Sequence, residues 1–79
     1  MLLSYFGPFP VTSVAYHTDG TDDWFGKAAK GALTSDARWA IVKQEYTGTN
    51  WVAKFPDGSA DPRFVWDDVA SLTYKILGT

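Results

Sequence analysis

Three turn sequences divide this chain into short segments and so limit it to short elements of secondary structure. The three are Thr18-Asp19-Gly20-Thr21, Thr47-Gly48-Thr49-Asn50 and Pro56-Asp57-Gly58-Ser59. Each holds a glycine, which reaches the positive φ that tight turns need, and proline suits the first corner of the third turn. The segments between the turns are rich in aromatic and β-branched residues, which favour strands. The spacing of the turns therefore predicts a chain of short strands.

Strands are predicted at residues 11–17, 37–46, 51–55 and 71–77, with a further short strand at 22–27. Residues 28–34 are small and contain glycine, which is typical of a loop. The turn between residues 46 and 51 joins two of the strands in the manner of a hairpin. About five short antiparallel strands with close turns predict an all-β domain, either a small barrel or a sandwich.

Two of these segments also have a helical interpretation. Residues 37–46 could form a helix, but the hairpin turn that follows them favours a strand. Residues 66–77 place apolar side chains at both helical and strand spacing. A strand is favoured at 71–77 because Thr, Tyr and Ile are common in strands and an all-β domain offers edges to pair with.

The first ten residues, MLLSYFGPFP, predict an extended apolar arm in front of the domain. Pro8 and Pro10 lack the N–H that helices and central strands use, so neither element suits this segment. Residues 11–79 are then expected to form a single small β domain. The arm's large apolar side chains must lie either on this domain's own sheet or on a neighbouring subunit. These side chains are the predicted partner contacts: Leu2, Leu3, Tyr5, Phe6 and Phe9.

The aromatic content also indicates contact with a partner. The chain has 79 residues and no cysteine, so it cannot use disulfides to offset the modest core of a small domain. It carries four Trp, four Tyr and five Phe, more large apolar surface than so short a chain easily buries. Aromatic side chains are common anchors of protein interfaces. Trp24, in the predicted strand at 22–27, is therefore added to the candidate partner-binding residues.

The charge pattern argues against nucleic acid and membrane partners. Seven basic and nine acidic residues give a net charge of −2, which offers no electrostatic surface for phosphate backbones. The first eighteen residues carry no charged side chain, but no basic residues precede the apolar ones as in a signal peptide. Gly7, Pro8 and Pro10 interrupt any membrane-spanning helix. A soluble protein is expected.

No catalytic, metal or cofactor site is expected from the reactive residues. His17 is the only histidine and there is no cysteine, so the usual nucleophile and base pairs lack support. The aspartates around residues 19–23 and 57–68 do not match a calcium-binding loop and are typical of turns. The protein is predicted to be non-enzymatic. An alternative function is a small carbohydrate- or peptide-binding module that uses exposed tryptophans, of which the candidates are Trp24, Trp39, Trp51 and Trp66.

Residues 34–74 contain a set of motifs that resembles a known group of proteins. They read Ser35-Asp36-Ala37-Arg38-Trp39-Ala40-Ile41, Tyr46-Thr47-Gly48-Thr49, Asp57-Gly58 and Val65-Trp66-Asp67-Asp68-Val69-Ala70-Ser71-Leu72-Thr73-Tyr74. In these motifs the chain resembles small proteins encoded in the structural gene blocks of tailed bacteriophages. The resemblance covers roughly the C-terminal half of the chain.

This resemblance implies that the protein is a component of the virion, assembled in the host cytoplasm. Its expected partners are phage capsid or tail proteins, and a homo-oligomer on the particle is expected because subunits follow the particle's local symmetry. Capsid decoration, as a cement protein, is preferred to a role in the neck or tail fibres. An aromatic-rich β domain with an apolar arm suits a subunit that assembles, since an arm that docks on a neighbour adds interface area.

Overall fold

The computed structural model describes residues 13–79, and within them the chain is mostly strand. Its elements are β1 (Ser13–Thr18), β2 (Asp23–Ala28), β3 (Ala37–Thr47), β4 (Asn50–Pro56), β5 (Phe64–Val65), a 3₁₀ helix (Trp66–Asp68) and β6 (Tyr74–Lys75). The all-β prediction is confirmed. No helix within the described range is long and apolar enough to cross a bilayer. The predicted arm at residues 1–10 lies outside the described residues.

All strand pairs in residues 13–79 are antiparallel, and β3 is the central strand. The order across the sheet is β1-β2-β3-β4-β6, while β5 pairs with the first part of β3. Along β3, only residues 43–47 pair with β4. Beyond them β4 diverges from β3, and Ala37 and Trp39 of β3 pair with β5 instead. Within the described residues β1 and β6 do not pair, and the sheet is not closed. Of the two predicted architectures, the small sandwich fits this open sheet and the barrel does not.

Two of the three predicted turns close hairpins, one between β1 and β2 and one between β3 and β4. In the β1–β2 turn the Asp19 carboxylate accepts hydrogen bonds from the backbone N–H groups of Thr21 at 2.9 Å and Asp22 at 2.8 Å. Gly20 takes a φ of 90° in this turn, and Gly48 takes a φ of 61° between β3 and β4. Both angles lie in the left-handed region that glycine enters without steric cost. Short-range chemistry alone therefore explains both hairpins.

The central strand is buried on both sides, which gives the domain two small cores. We call the side of the sheet that carries Trp39 and Ile41 the tryptophan face, and the side that carries Val42 and Tyr46 the tyrosine face. The larger core lies on the tryptophan face and contains Trp24, Ala28, Trp39, Ile41, Phe64, Trp66 and Val69. The smaller core lies on the tyrosine face and contains Ala40, Val42 and Phe55.

Gly26 explains how the 3₁₀ helix reaches the sheet. A Cβ at Gly26 would lie 2.6 Å from Cε3 of Trp66 and 3.1 Å from Cε3 of Trp39. The Trp66 ring therefore packs directly on the backbone of β2, and its centroid lies 5.8 Å from that of Trp39. Only glycine permits so close an approach.

The C-terminal segment differs from the strand predicted at 71–77. Only Tyr74–Lys75 is strand, paired with Phe55 and Pro56 of β4. On the β4 side the chain turns away after Pro56, where Asp57 and Gly58 take positive φ angles of 51° and 72°. On the β6 side the Ile76 oxygen accepts a hydrogen bond from the Thr79 N–H at 3.1 Å in a second turn. The Tyr74 hydroxyl donates to the backbone oxygen of Val69 at 2.7 Å, and burial raises the pKa of this phenol. A side-chain contact thus folds the segment back on itself where a longer strand was expected.

Candidate functional site

The tryptophans divide between the core and the surface. Trp24, Trp39 and Trp66 are at most 9% exposed, whereas Trp51 is 46% exposed. An aromatic binding surface in the described residues therefore includes Trp51 and excludes the other three indole rings. Of the four tryptophans that were candidates for ligand binding, only Trp51 remains.

Trp24 lies in the core, and this corrects its prediction as a partner-binding residue. It is 5% exposed and belongs to the larger hydrophobic cluster. The His17 ring lies 5.0 Å from it, and the Lys43 Nζ lies 5.2 Å from the centroid of its ring. Alternation along β2 places Trp24 on the tryptophan face, where these neighbours and the core occupy its surface. The other predicted contacts, Leu2, Leu3, Tyr5, Phe6 and Phe9, lie outside the described residues.

The surface that the structure does expose is the outer part of the tyrosine face. The strand registers align Tyr16 with Phe25, Phe25 with Val42, and Tyr46 with Trp51. Val14, Tyr16, Tyr46 and Trp51 are all exposed. Four strands therefore contribute to one aromatic surface, because alternate residues of adjacent strands point to the same side. The sequence contains a signal for this surface: Tyr46 and Trp51 flank the hairpin turn and must pair across it.

Asp23 fixes the two tyrosine rings of this surface. The Tyr16 hydroxyl donates to Oδ1 of Asp23 at 2.9 Å, and the Tyr46 hydroxyl donates to Oδ2 at 3.1 Å. One carboxylate on β2 thus joins a phenol from β1 to a phenol from β3. The Tyr16 ring also lies 5.2 Å from the Phe25 ring at a tilt of 50°. Both tyrosines are therefore held in defined positions although they are exposed.

These hydrogen bonds favour an ionised Asp23 and a neutral Tyr16. The bond from Tyr16 is the main reason that the pKa of Asp23 lies below its usual value. The same bond raises the pKa of Tyr16, while desolvation is the main cause of the raised pKa of Tyr46. At neutral pH the surface therefore carries an ionised carboxylate between two neutral phenols. Such a surface can pack apolar or aromatic groups on its rings and offer hydrogen bonds at its polar tips.

The tryptophan face ends in a charged strip. Lys43 lies 3.0 Å from Glu45 and 3.8 Å from Asp22, and Lys54 lies 3.0 Å from Glu45. Lys54 first and Lys43 second hold the pKa of Glu45 below its usual value. Lys43 also lies over the rings of Trp24 and Tyr74. These charges cover the end of the core with polar groups, so this face presents a solvated surface there.

The aspartates and His17 are dispersed rather than gathered into a site. Within residues 13–79, no group of three or more His, Asp or Glu side chains is placed to hold a metal ion. The Asp19 carboxylate is used by its own turn, and hydrogen bonds from the Asp22 and Thr21 amides lower its pKa. His17 packs against Trp24.

Comparison with known proteins leaves the function to be argued from these residues. No protein-family model matches the chain, and no curated protein or solved structure is significantly similar to it. The tyrosine face is therefore the candidate functional surface on the strength of its exposure and its fixed aromatic rings.

Proposed function

We propose that this protein is a non-enzymatic structural subunit of a tailed-phage particle, which binds neighbouring capsid or tail subunits through its tyrosine face. Capsid decoration is preferred to a neck or tail-fibre role. The phage assignment follows from the sequence resemblance over residues 34–74. The binding role is supported by one structural observation, the exposed aromatic surface that Asp23 orders.

A fixed aromatic surface suits binding to another protein for a physical reason. Tyrosine and tryptophan bury a large area while they lose few rotatable bonds. Here the rings of Tyr16 and Tyr46 are already restrained by Asp23 before any partner arrives. Binding therefore loses less side-chain entropy than it would with flexible side chains.

The predicted arm remains part of this proposal. Leu2, Leu3, Tyr5, Phe6 and Phe9 would add apolar contact area beyond the described domain, on a neighbouring capsid or tail protein. Removal of residues 1–10 should leave the domain folded and weaken its association with particles. Circular dichroism checks the fold, and sedimentation with purified particles checks the association.

The experiment for the tyrosine face is sedimentation of purified variants with the purified phage particles. Wild-type protein should sediment with particles at a fixed stoichiometry. Tyr46→Ser removes one ring from the surface without touching the larger core, so binding should fall at least tenfold. Leu33→Ser is the matched control, because Leu33 is exposed but lies in the loop before β3. Equal binding by the two variants would show that the tyrosine face is not the binding surface. Absence of the protein from purified particles would overturn the virion role.

A second candidate function is a small carbohydrate-binding module, and one observation favours it. Trp51 lies opposite Tyr46 in the β3–β4 register, and both rings are exposed on a sheet face beside the Asp23 carboxylate. Flat aromatic rings beside hydrogen-bonding groups are suited to the apolar faces and hydroxyls of sugars. Under this alternative the ligand would be a glycan of the host surface.

Tryptophan fluorescence separates the two functions. A carbohydrate module should show a saturable change when it is titrated with host surface glycans, and the change should disappear in Trp51→Phe. The three buried tryptophans remain in this variant, so its residual emission serves as an internal reference. A structural subunit should show no saturable change with glycans in either form.

A further inference from the structure

Among residues 13–79, β1 is an edge strand whose outer side pairs with no other strand. Among residues 13–79 it pairs only with β2. The Asp19 N–H donates to the Asp22 oxygen in the turn, which marks Asp19 and Asp22 as a hydrogen-bonded pair. Because such pairs alternate along an antiparallel ladder, Val14 and Tyr16 direct their N–H and C=O groups away from β2.

This edge lacks the features that prevent strand addition. Edge strands are commonly protected by charged residues, proline, bulges or short length. β1 reads SVAYHT, with no proline, lysine or acidic residue, and it pairs with β2 over six residues without a register shift. The opposite edge, β6, is two residues long and includes Lys75. Within the described chain, one edge is protected and the other is open.

The side chains on the open edge are apolar and exposed. Val14 is 63% exposed and Tyr16 is 58% exposed, and both lie on the tyrosine face. Val14 is small and Tyr16 is large. When such residues lie opposite each other across an antiparallel pair, they form a favourable cross-strand contact.

We propose that β1 of a second copy of this chain adds to this edge, so that two copies form one continuous antiparallel sheet. The two-fold axis passes between the Ala15 residues of the two copies, which sets Val14 of each copy opposite Tyr16 of the other. Each of these pairs then exchanges both of its backbone hydrogen bonds. A second copy fits because the strand is complementary to itself. The outward N–H and C=O groups of Val14 in one copy meet those of Tyr16 in the other, and the side chains of these two residues carry no charge.

The pairing would also join the two tyrosine faces. With the two-fold axis perpendicular to the sheet, both faces lie on the same side, and Tyr16 of each copy stands beside the other copy's Val14. The aromatic surface becomes twice as wide. This inference is independent of the proposed virion role, because it follows from the edge alone.

Light scattering on the full chain tests the pairing. Wild-type protein should have twice the chain mass of 8.7 kDa at high concentration. Val14→Pro should halve the mass, because it removes an outward N–H while leaving the ladder to β2 intact. Val14→Lys should have the same effect by placing a charge at the edge. Leu33→Lys is the matched control, since Leu33 is 65% exposed and away from the sheet edge, and it should keep the wild-type mass.

Hydrogen exchange identifies the edge as the interface. The amides of Val14 and Tyr16 should exchange at least tenfold more slowly at high than at low protein concentration. The amide of His17 points towards β2 in the same alternation, so its protection should not depend on concentration. A wild-type monomer at all concentrations, or a Val14→Pro protein that keeps the doubled mass while folded by circular dichroism, would overturn the proposal.

Discussion

The two faces of the sheet both carry aromatic rings but differ in how far those rings are buried. On the tryptophan face, Trp39 is 2% exposed, and the rings pack on one another and on the backbone at Gly26. On the tyrosine face, Trp51 is 46% exposed, and the rings of Tyr16 and Tyr46 are held by hydrogen bonds to Asp23. Aromatic content alone does not separate a core from a binding surface. The separation depends on what covers each ring.

This difference assigns stability mainly to the tryptophan face, and under the proposed function it assigns recognition to the exposed rings of the tyrosine face. A ring that is buried contributes its full apolar area to folding, whereas a half-exposed ring keeps much of its area for a partner. Substitutions on the tryptophan face should therefore lower the free energy of unfolding. Substitutions of the exposed rings on the tyrosine face should change binding more than folding, because they leave the smaller core at Val42 and Phe55 in place.

The largest expected effect comes from truncating matched tryptophans on the two faces. Trp39→Ala should lower the free energy of unfolding by about 3–5 kcal/mol, because it leaves a cavity in the larger core. It also removes the hydrogen bond that the Trp39 indole donates to the Leu33 oxygen at 3.0 Å. Trp51→Ala should cost about 1–2 kcal/mol, since only about half of the residue is buried. Urea unfolding followed by circular dichroism measures both, and equal losses would contradict the division of the faces.

A smaller effect is expected from a single methyl group on β2. Gly26→Ala places a Cβ 2.6 Å from the Trp66 ring, so the ring must move out of the core. The free energy of unfolding should fall by about 1–3 kcal/mol, the usual range for overpacking. In a Trp66→Leu background the same substitution should cost less, because the ring it meets is gone. An equal cost in both backgrounds would show that Trp66 is not the contact that matters.

The tyrosine face should show a modest dependence of stability on pH through Asp23. Because the folded-state pKa of Asp23 lies below its unfolded value, the ionised carboxylate stabilises the fold above the unfolded pKa of about 4. This contribution is lost as the pH falls through the folded-state pKa. The stability difference between wild type and Asp23→Asn should therefore shrink under acid, from a value of at most about 1 kcal/mol, since solvent screens this group. Asp19 and Glu45 also have lowered pKa values, so their contributions to stability are lost under acid too. These losses are the same in wild type and in Asp23→Asn, so they cancel in the difference.

The smallest effect concerns the pKa of Asp23 itself. Tyr16→Phe removes the hydrogen bond that contributes most to the lowered pKa, so the pKa should rise towards its ordinary value. Tyr46→Phe should raise it less, because the bond from Tyr46 contributes less to the shift. An NMR titration of the Asp23 carboxyl carbon measures both variants. A larger rise in Tyr46→Phe would reverse this order and identify Tyr46 as the main restraint.

The regular part of the fold was predictable from local patterns. The hairpin from β3 to β4 was expected at 37–46 and 51–55, and the structure has it at Ala37–Thr47 and Asn50–Pro56. Its turn chemistry and alternating side chains are local properties of the chain. The end of the chain was less predictable. The strand expected at 71–77 is reduced to Tyr74–Lys75 because the turn at Asp57 and Gly58 and the contact between Tyr74 and Val69 override local propensity.

The candidate site shows the same limit at the level of single residues. Trp24 was expected to meet a partner, yet it is buried, while Tyr16 and Tyr46 form the exposed surface. Period-two alternation tells which residues share a face, but it does not tell which face another segment covers. The 3₁₀ helix at Trp66–Asp68 covers the face of Trp24, and its packing on Gly26 brings residues 40 positions apart into contact.

The sequence by itself determined the all-β class, the turns and the hairpins, because these follow from glycine, proline and side-chain alternation over a few neighbouring residues. The tertiary structure alone decided which aromatic rings of residues 13–79 form the core, which are exposed, and which edge of their sheet stays unpaired. Those outcomes depend on contacts between segments far apart in the chain. Local propensities carry no information about such contacts.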